Sequence, residues 1–193
     1  MTLGTAAEIR TGYSFRGRVE TDPSGLVKVI QMKDIDRSNR VRPETIARIL
    51  PIGDLRPHWL QEGDLLFRCR GESYSAAIVP DGLGQAIAAS PLMVIRPKRP
   101  IANPAYLRWF LNQGSTQNLL SSIAAGSSVK IINKAALERL EIPLPSSDKQ
   151  RRIAEIGELA DEEARLAREL VDLRRQLTEK ALMEEARRKN LER

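Results

Sequence analysis

The pattern of apolar and polar residues changes near residue 145 and divides the sequence into two parts. Before it, short apolar runs alternate with turns rich in glycine, proline and polar residues; after it, one amphipathic pattern continues almost to the end. Alternating or β-branched runs predict strands at LVKVIQM (26–32), LLFRC (65–69), AAIV (76–79) and LMVIRP (92–97). We therefore expect a domain over residues 1–145 and a long helix over 146–193.

Helical segments follow these strands. Asn103 is a suitable N-cap and Pro104 suits the first helical position, with Leu107, Phe110 and Leu111 on one face of the helix. Shorter helices are predicted over 116–124 and 134–139, and residues 44–50 suit either a short helix or an edge segment. The predicted fold class is α+β: a mostly-β domain with short helices, followed by a long C-terminal coiled-coil helix.

The long helix has a defined start. Pro143 and Pro145 prevent a helix upstream of it, because proline lacks an amide donor and forces its neighbour to be extended. Ser147 is a predicted N-cap, Gln150 completes a capping box, and Asp148 places a negative charge at the positive helix end. No proline follows, so about forty residues form a rod of roughly 60 Å.

One apolar stripe runs along this rod. Its members are spaced by three, four or seven residues, with charged residues around them. The stripe comprises Ile153, Ile156, Leu159, Leu166, Leu170, Leu173 and Leu177. The helix either folds back on its own domain or forms a coiled coil with a second copy or another protein, and its length favours the coiled coil.

The net charge of +6 is distributed unevenly. Residues 146–193 contain twelve basic and twelve acidic residues, so the first 145 residues, with 19 basic and 13 acidic, carry the whole excess. This favours a polyanion as partner of the domain and protein as partner of the helix. A merely basic surface is the alternative.

The remaining composition predicts a binding protein. One cysteine and one histidine exclude an internal disulfide and a His/Cys zinc cluster, and we expect no metal or other cofactor. No apolar run approaches the length of a membrane span and no signal-peptide pattern occurs, so we expect a soluble, cytoplasmic protein without membrane contact.

The sequence contains fragments that resemble catalytic motifs, but none is complete. The tetrapeptide Asn103-Pro104-Ala105-Tyr106 resembles the N-P-P-Y motif of DNA amino-methyltransferases, but it lacks the second proline and no glycine-rich turn for a methyl donor precedes it. Pro80-Asp81 is not followed by the Glu-x-Lys of many nucleases, and no nucleophile motif occurs. The sequence does not predict an enzyme.

Basic residues in loops are the candidates for DNA contact, because arginine binds guanine bidentately and lysine binds phosphates. Arg68 and Arg70 stand out, since alternate residues at the end of a strand point the same way. We interpret Trp59 and Trp109 as packing residues. The candidates lie in or beside loops 13–18, 33–42, 68–75 and 126–130, and are Arg16, Arg18, Lys33, Arg37, Arg40, Arg68, Arg70, Tyr74 and Lys130.

Several segments in order resemble one family. They are EIRTGYSF, VIQMKDID, GDLLFRCRG, SPLMVIRP, NPAYLRWFLN and, most specifically, the run LERLEIPLPSSDKQRRI (137–153) that joins domain to helix. The chain resembles the specificity (S) subunit of type I restriction-modification systems over nearly its full length. The resemblance implies a target recognition domain that reads half of a bipartite site in double-stranded DNA. It also implies a helix acting as a spacer, a methyltransferase (M) subunit that supplies catalysis and, in systems that also cleave DNA, a restriction (R) subunit.

The chain departs from the family in carrying one recognition domain and one helical region, whereas a complete S subunit has two of each, with antiparallel helices. A homodimer reading a split palindrome is the resulting hypothesis. A different S-like half would also cover the stripe. Two further alternatives remain open, namely a freestanding DNA-binding regulator or orphan half, and a coiled-coil interaction module that does not bind DNA.

Overall fold

The computed structural model describes residues 1–51, 53–71, 73–125 and 130–188. Within them the helices are α1 Leu3–Ala6, α2 Pro104–Asn112, α3 Gly114–Ala125, α4 Lys134–Glu138 and α5 Ser147–Arg188. The strands are β1 Ala7–Thr11, β2 Val27–Ile30, β3 Ala47–Ile49, β4 Leu65–Arg68, β5 Ala76–Ile78, β6 Ala86–Ala88 and β7 Leu92–Pro97. The α+β class predicted from the sequence is confirmed.

A four-stranded antiparallel sheet forms the centre of the domain, in the order β1-β7-β4-β5. Successive side chains of a strand point to opposite faces, and both faces of β4 are buried. Leu65 and Phe67 pack in a cluster with Leu107 and Leu120 of the helices. Leu66 packs on the other face with Ile30 of β2. The central sheet therefore lies between a helical layer and a second sheet.

The second sheet has three strands in the order β3-β2-β6, with β2 antiparallel to β3 and parallel to β6. Its other face carries Val27, Val29 and Ile87, against which Tyr13 and Trp59 pack. Trp59 and Trp109 are both half-buried against core clusters, which confirms their interpretation as packing residues. The parallel pairing places the end of β2 and the polar loop after it beside the central sheet.

The four predicted strands are present, and the segment after residue 44 contains the edge strand β3. The predicted start of α2 is also confirmed, since the Asn103 side chain accepts hydrogen bonds from the amides of Ala105 and Tyr106. Helix α5 begins as expected, but its cap differs. Its first helical hydrogen bond runs from the Gln150 amide to the Ser146 carbonyl, so Ser146 rather than Ser147 is the N-cap.

Gln150 is 2% exposed and does not fold back to form the predicted capping box. Its amide nitrogen donates to the carbonyls of Ile101 and Pro145, and its oxygen accepts from the Asn103 amide at 2.9 Å. The side chain thus links the start of α5 to the loop that precedes α2.

The chain divides into two compact units, and the second begins at Ile156. Packing of the first unit extends into α5, where Ala154 is buried and Ile153 is half-buried against the domain core. Ile153 therefore contributes to its own domain. In the second unit the remaining stripe residues are exposed, from 49% for Leu170 to 71% for Leu159. No helix in the described part of the chain is long and apolar enough to cross a membrane.

Candidate nucleic-acid interface

The loop after β2 is held in one conformation by a buried carboxylate. Asp34 is fully buried and accepts hydrogen bonds from the Gln31 amide at 2.8 Å and the Thr45 hydroxyl at 2.9 Å. Its backbone carbonyl accepts from the amide of Arg42 at 2.8 Å. Residues 33–42 are consequently fixed at their base on both sides.

The tip of the same loop is a hydrogen-bonded turn. The Asp36 carboxylate accepts from the amides of Ser38 and Arg40, at 2.8 and 2.9 Å. Asn39 adopts a positive φ of 57°, a conformation that asparagine tolerates better than most residues. The turn leaves the side chains of Arg37 and Arg40 on the exposed outer side of the loop.

Arg68 fastens this loop to the central sheet. Its guanidinium donates from Nη2 to the carbonyls of Ile35 and Asp36, and from Nη1 to the side chains of Asn39 and Ser75. The group is half-buried, and burial lowers the pKa of Arg68 from its ordinary value, although arginine remains charged at neutral pH. Most of its donors are therefore already used within the domain.

A cleft of about 530 Å³ opens between the loop and the end of β4. Arg37, Arg68, Arg70 and Ser73 line it, together with apolar and acidic groups of the loop. The structure thus brings Arg37 beside Arg68 and Arg70, which lie more than thirty positions later in the sequence. The serine was not predicted as a site residue, because an isolated serine in a loop carries no distinguishing pattern.

Arg16 and Arg18 belong to the loop after β1, and both are exposed. Arg18 and Gln31 line a second, smaller cleft. Met32, the residue after Gln31, lines the larger cleft described above. Because these two residues are consecutive, the two clefts are neighbours. Lys33 is likewise exposed, at the start of the 33–42 loop.

Tyr74 is placed in the core, only 5% exposed. Its hydroxyl donates to the carbonyl of Lys130 at 3.4 Å, and its backbone is bound on both sides by the Gln117 amide group. Tyr74 therefore packs in the core, where its hydrogen bonds hold the neighbouring loops, and its ring is not exposed at the surface. Lys130 itself is exposed and precedes Ile131, which pairs with Arg70. The rest of the predicted 126–130 loop lies outside the described residues.

Two further arginines, Arg96 and Arg10, form ion pairs and hydrogen bonds within the domain. Arg96 forms a bidentate pair with the carboxylate of Asp64, with distances of 2.8 and 2.7 Å, and this hydrogen bonding raises the pKa of Arg96. Arg10 approaches the same carboxylate at 3.8 Å and donates to the carbonyls of Pro57 and Trp59. These arginines are structural, which leaves the loop residues as the accessible cations of the candidate surface.

The arrangement suits contact with a nucleic acid. In the described part of the chain no group of three or more His, Cys, Asp or Glu side chains could hold a metal ion. The Cys69 thiol donates to the Pro91 carbonyl at 2.7 Å, and burial raises the pKa of this thiol. A rigid loop with exposed guanidinium groups beside a cleft can contact phosphates and base edges.

Comparison with known proteins gives one family and a consistent fold. The family model "Type I restriction modification DNA specificity domain" matches residues 1–167. Comparison with curated protein sequences gives no significant match.

Three solved structures show similar folds. The crystal structure of the HsdS subunit from Thermoanaerobacter tengcongensis has a TM-score of 0.65 and 22% identity, covering 87% of this chain and 38% of that one. A chain from a study of complex assembly and conformational transition in the type I R-M system also gives 0.65, at 21% identity over 87% and 39%. The S subunit from M. genitalium gives 0.57, at 13% identity over 91% and 42%. This chain therefore spans about two fifths of the length of these structures.

Proposed function

This chain belongs to the family of type I restriction-modification DNA specificity domains, and from that premise we propose that it reads half of a bipartite DNA site without catalysing a reaction itself. The observation that carries the proposal is the fixed basic loop 33–42 beside the arginine-lined cleft. Rigid positioning matters because base readout requires side chains that are held in register with the duplex.

We assign different roles to the arginines of this surface. Arg37 and Arg40, together with Lys33, are the proposed direct contacts, since their side chains are exposed on the loop. Arg70 is proposed as a contact from the opposite wall of the cleft, where it is exposed. Arg68 holds the loop in place through its four hydrogen bonds.

The second part of the proposal concerns assembly. Two copies pair through the exposed stripe of α5, so that the dimer carries two recognition domains and reads a split, two-fold symmetric site. A methyltransferase subunit supplies the chemistry to the assembled dimer, and a restriction subunit joins where cleavage occurs. The exposed leucines and the family membership support this part.

DNA binding is tested by selecting bound duplexes from a randomised library with the purified full chain, and then measuring affinity against salt. We expect a split motif to be enriched, and each of Arg37→Ala and Arg40→Ala to reduce the slope of log K against log salt by about one. Arg56→Ala is the matched control, since Arg56 is likewise exposed but lies outside the 33–42 loop and its cleft. Retention on DNA that is independent of salt would refute recognition and favour a protein-interaction module.

Partner recruitment is tested separately, by adding a purified type I methyltransferase subunit from the same organism to the chain. Co-elution in size-exclusion chromatography and methylation of the selected duplex are expected. DNA binding with no association and no methylation would instead identify a freestanding regulator or an orphan half.

A further inference from the structure

Two charged residues interrupt the apolar stripe of α5 at positions that belong to it. The stripe residues from Ile156 to Leu177 follow one another at steps of three or four residues, except for one step of seven between Leu159 and Leu166. Glu163 stands four residues after Leu159, and Lys180 stands three residues after Leu177, so both continue the same spacing. Any helix that covers the stripe must face these two charges.

Neither charge has an ion-pair partner among the residues of its own chain that the structure describes. Other charged residues of the helix form intrachain pairs, such as Arg165 with Glu162 and Glu169 at 2.8 and 2.9 Å. Among the described residues, Glu163 and Lys180 form no ion pair, and both are exposed. The helix therefore presents one negative and one positive group, seventeen positions apart, for a partner to match.

A parallel, in-register pairing of two copies does not bring Glu163 and Lys180 together. In that arrangement each stripe residue faces its own counterpart, so Glu163 would meet Glu163 and Lys180 would meet Lys180 of the second copy. Like charges brought together at a helix interface are unfavourable. The arrangement would place two such repulsive contacts in each dimer.

One antiparallel register satisfies all central positions at once. When Leu170 of one copy faces Leu173 of the other, Leu166 faces Leu177 and Glu163 faces Lys180, and two-fold symmetry repeats each contact. A shift of one heptad in one direction places Lys180 opposite Ile156, and a shift in the other direction places it opposite Leu170. Either shift therefore sets a charge without a partner against an apolar side chain near the centre of the contact, with Glu163 on Leu173 or Lys180 on Leu170, which is costly. In the favoured register such contacts, Leu159 with Glu184 and Ile156 with Arg187, lie only at the ends of the paired segment.

We propose that Glu163 and Lys180 fix the orientation and register in which two copies of this chain pair, and thereby the separation of their recognition domains. This inference rests on the proposed homodimer and extends it by naming the residues that select one pairing. The leucines drive association without discriminating among registers, and the two charges supply the discrimination.

The first test is a charge exchange in the full chain, followed by sedimentation equilibrium. Glu163→Lys alone and Lys180→Glu alone each create two like-charge contacts, so we expect the dimer dissociation constant to rise by about 10-fold or more. The double variant Glu163→Lys/Lys180→Glu recreates both opposite-charge contacts, and should return within about threefold of the original. A parallel dimer would respond equally to all three variants, which would overturn the proposal.

The second test uses cysteine cross-linking under mild oxidation. Chains carrying Leu166→Cys and chains carrying Leu177→Cys should form a disulfide when mixed, whereas neither should do so alone. Arg175→Cys, on the exposed side of the helix, is the control expected to remain reduced in every mixture. Cys69 is buried and leaves the background low. Cross-linking of either single variant with itself would overturn the antiparallel register.

These outcomes separate the inference from the function on which it rests. A dimer that binds the split motif but ignores the charge exchange refutes the role of Glu163 and Lys180 alone. A chain that remains monomeric at all concentrations yet binds DNA refutes self-pairing, and the register with it, while recognition stands.

Discussion

Replacing Arg68 with alanine separates a positioning role from direct DNA contact. The substitution removes four hydrogen bonds, of which two reach backbone carbonyls of the 33–42 loop and one reaches Asn39 at its tip. A hydrogen bond contributes about 0.5–1.5 kcal/mol net, and more when one group is charged. Because the guanidinium is half-buried and the four bonds share one side chain, we expect a total loss of about 2–4 kcal/mol in the free energy of unfolding.

Urea denaturation followed by tryptophan fluorescence measures this loss, since both tryptophans lie in the domain. Hydrogen exchange of the loop amides supplies the local measurement. We expect the amides of Asn39 and Arg42, which donate to Asp36 and Asp34, to exchange faster in the Arg68→Ala variant. DNA affinity should fall as a consequence, because the loop then presents its arginines in many orientations.

Arg37→Ala is the matched control from the same cleft. It should change stability by less than about 0.5 kcal/mol, because the side chain is exposed, while still weakening DNA binding. The reasoning is refuted if Arg68→Ala leaves both stability and loop exchange unchanged and lowers the salt slope of DNA binding by one. That result would make Arg68 a phosphate contact.

Three further outcomes follow from the interior of the domain. Gly12→Ala should destabilise strongly, because a Cβ there would lie 2.7 Å from a backbone carbonyl carbon, whereas Gly17→Ala, with nothing within 4 Å, should be nearly neutral in urea denaturation. Asp64→Ala should cost about 3–5 kcal/mol by the same measurement, since it leaves Arg96 partly buried without its partner; an unchanged midpoint would contradict the pairing. Iodoacetamide should modify Cys69 far more slowly in the native protein than in urea, because burial raises the thiol pKa and reduces the reactive thiolate; equal rates would contradict this.

The sequence predicted those helices and strands whose formation depends on residues close together in the chain. Asn103 followed by Pro104 specifies a helix start by itself, and the β-branched run before Pro97 specifies β7. Strand β6, Ala86–Ala88, was not predicted, because it is only three residues long, two of them are alanines of low β-propensity, and the strand depends on its parallel pairing with β2.

The candidate site was predictable as a set of loops but not as an arrangement. The spacing of Arg68 and Arg70 indicated that they point the same way at the end of β4, yet three of the four acceptors that engage Arg68 come from a loop about thirty residues earlier in the chain. Tyr74 illustrates the same limit, since an aromatic residue in a polar loop gives no sign that its ring belongs to the core. Tertiary contacts decide both cases, and a linear pattern does not contain them.

The position of β1 has a consequence for how the chain folds during synthesis. Its partner in the central sheet is β7, whose last residue is Pro97, so 86 residues separate the end of β1 from the end of its partner. At about 5–20 residues per second, β1 stays without its neighbour for roughly 4–17 s after it is made. The first segments of this domain therefore leave the ribosome before the strand that pairs with β1 has been made, and chaperones have several seconds in which to bind them before the sheet closes.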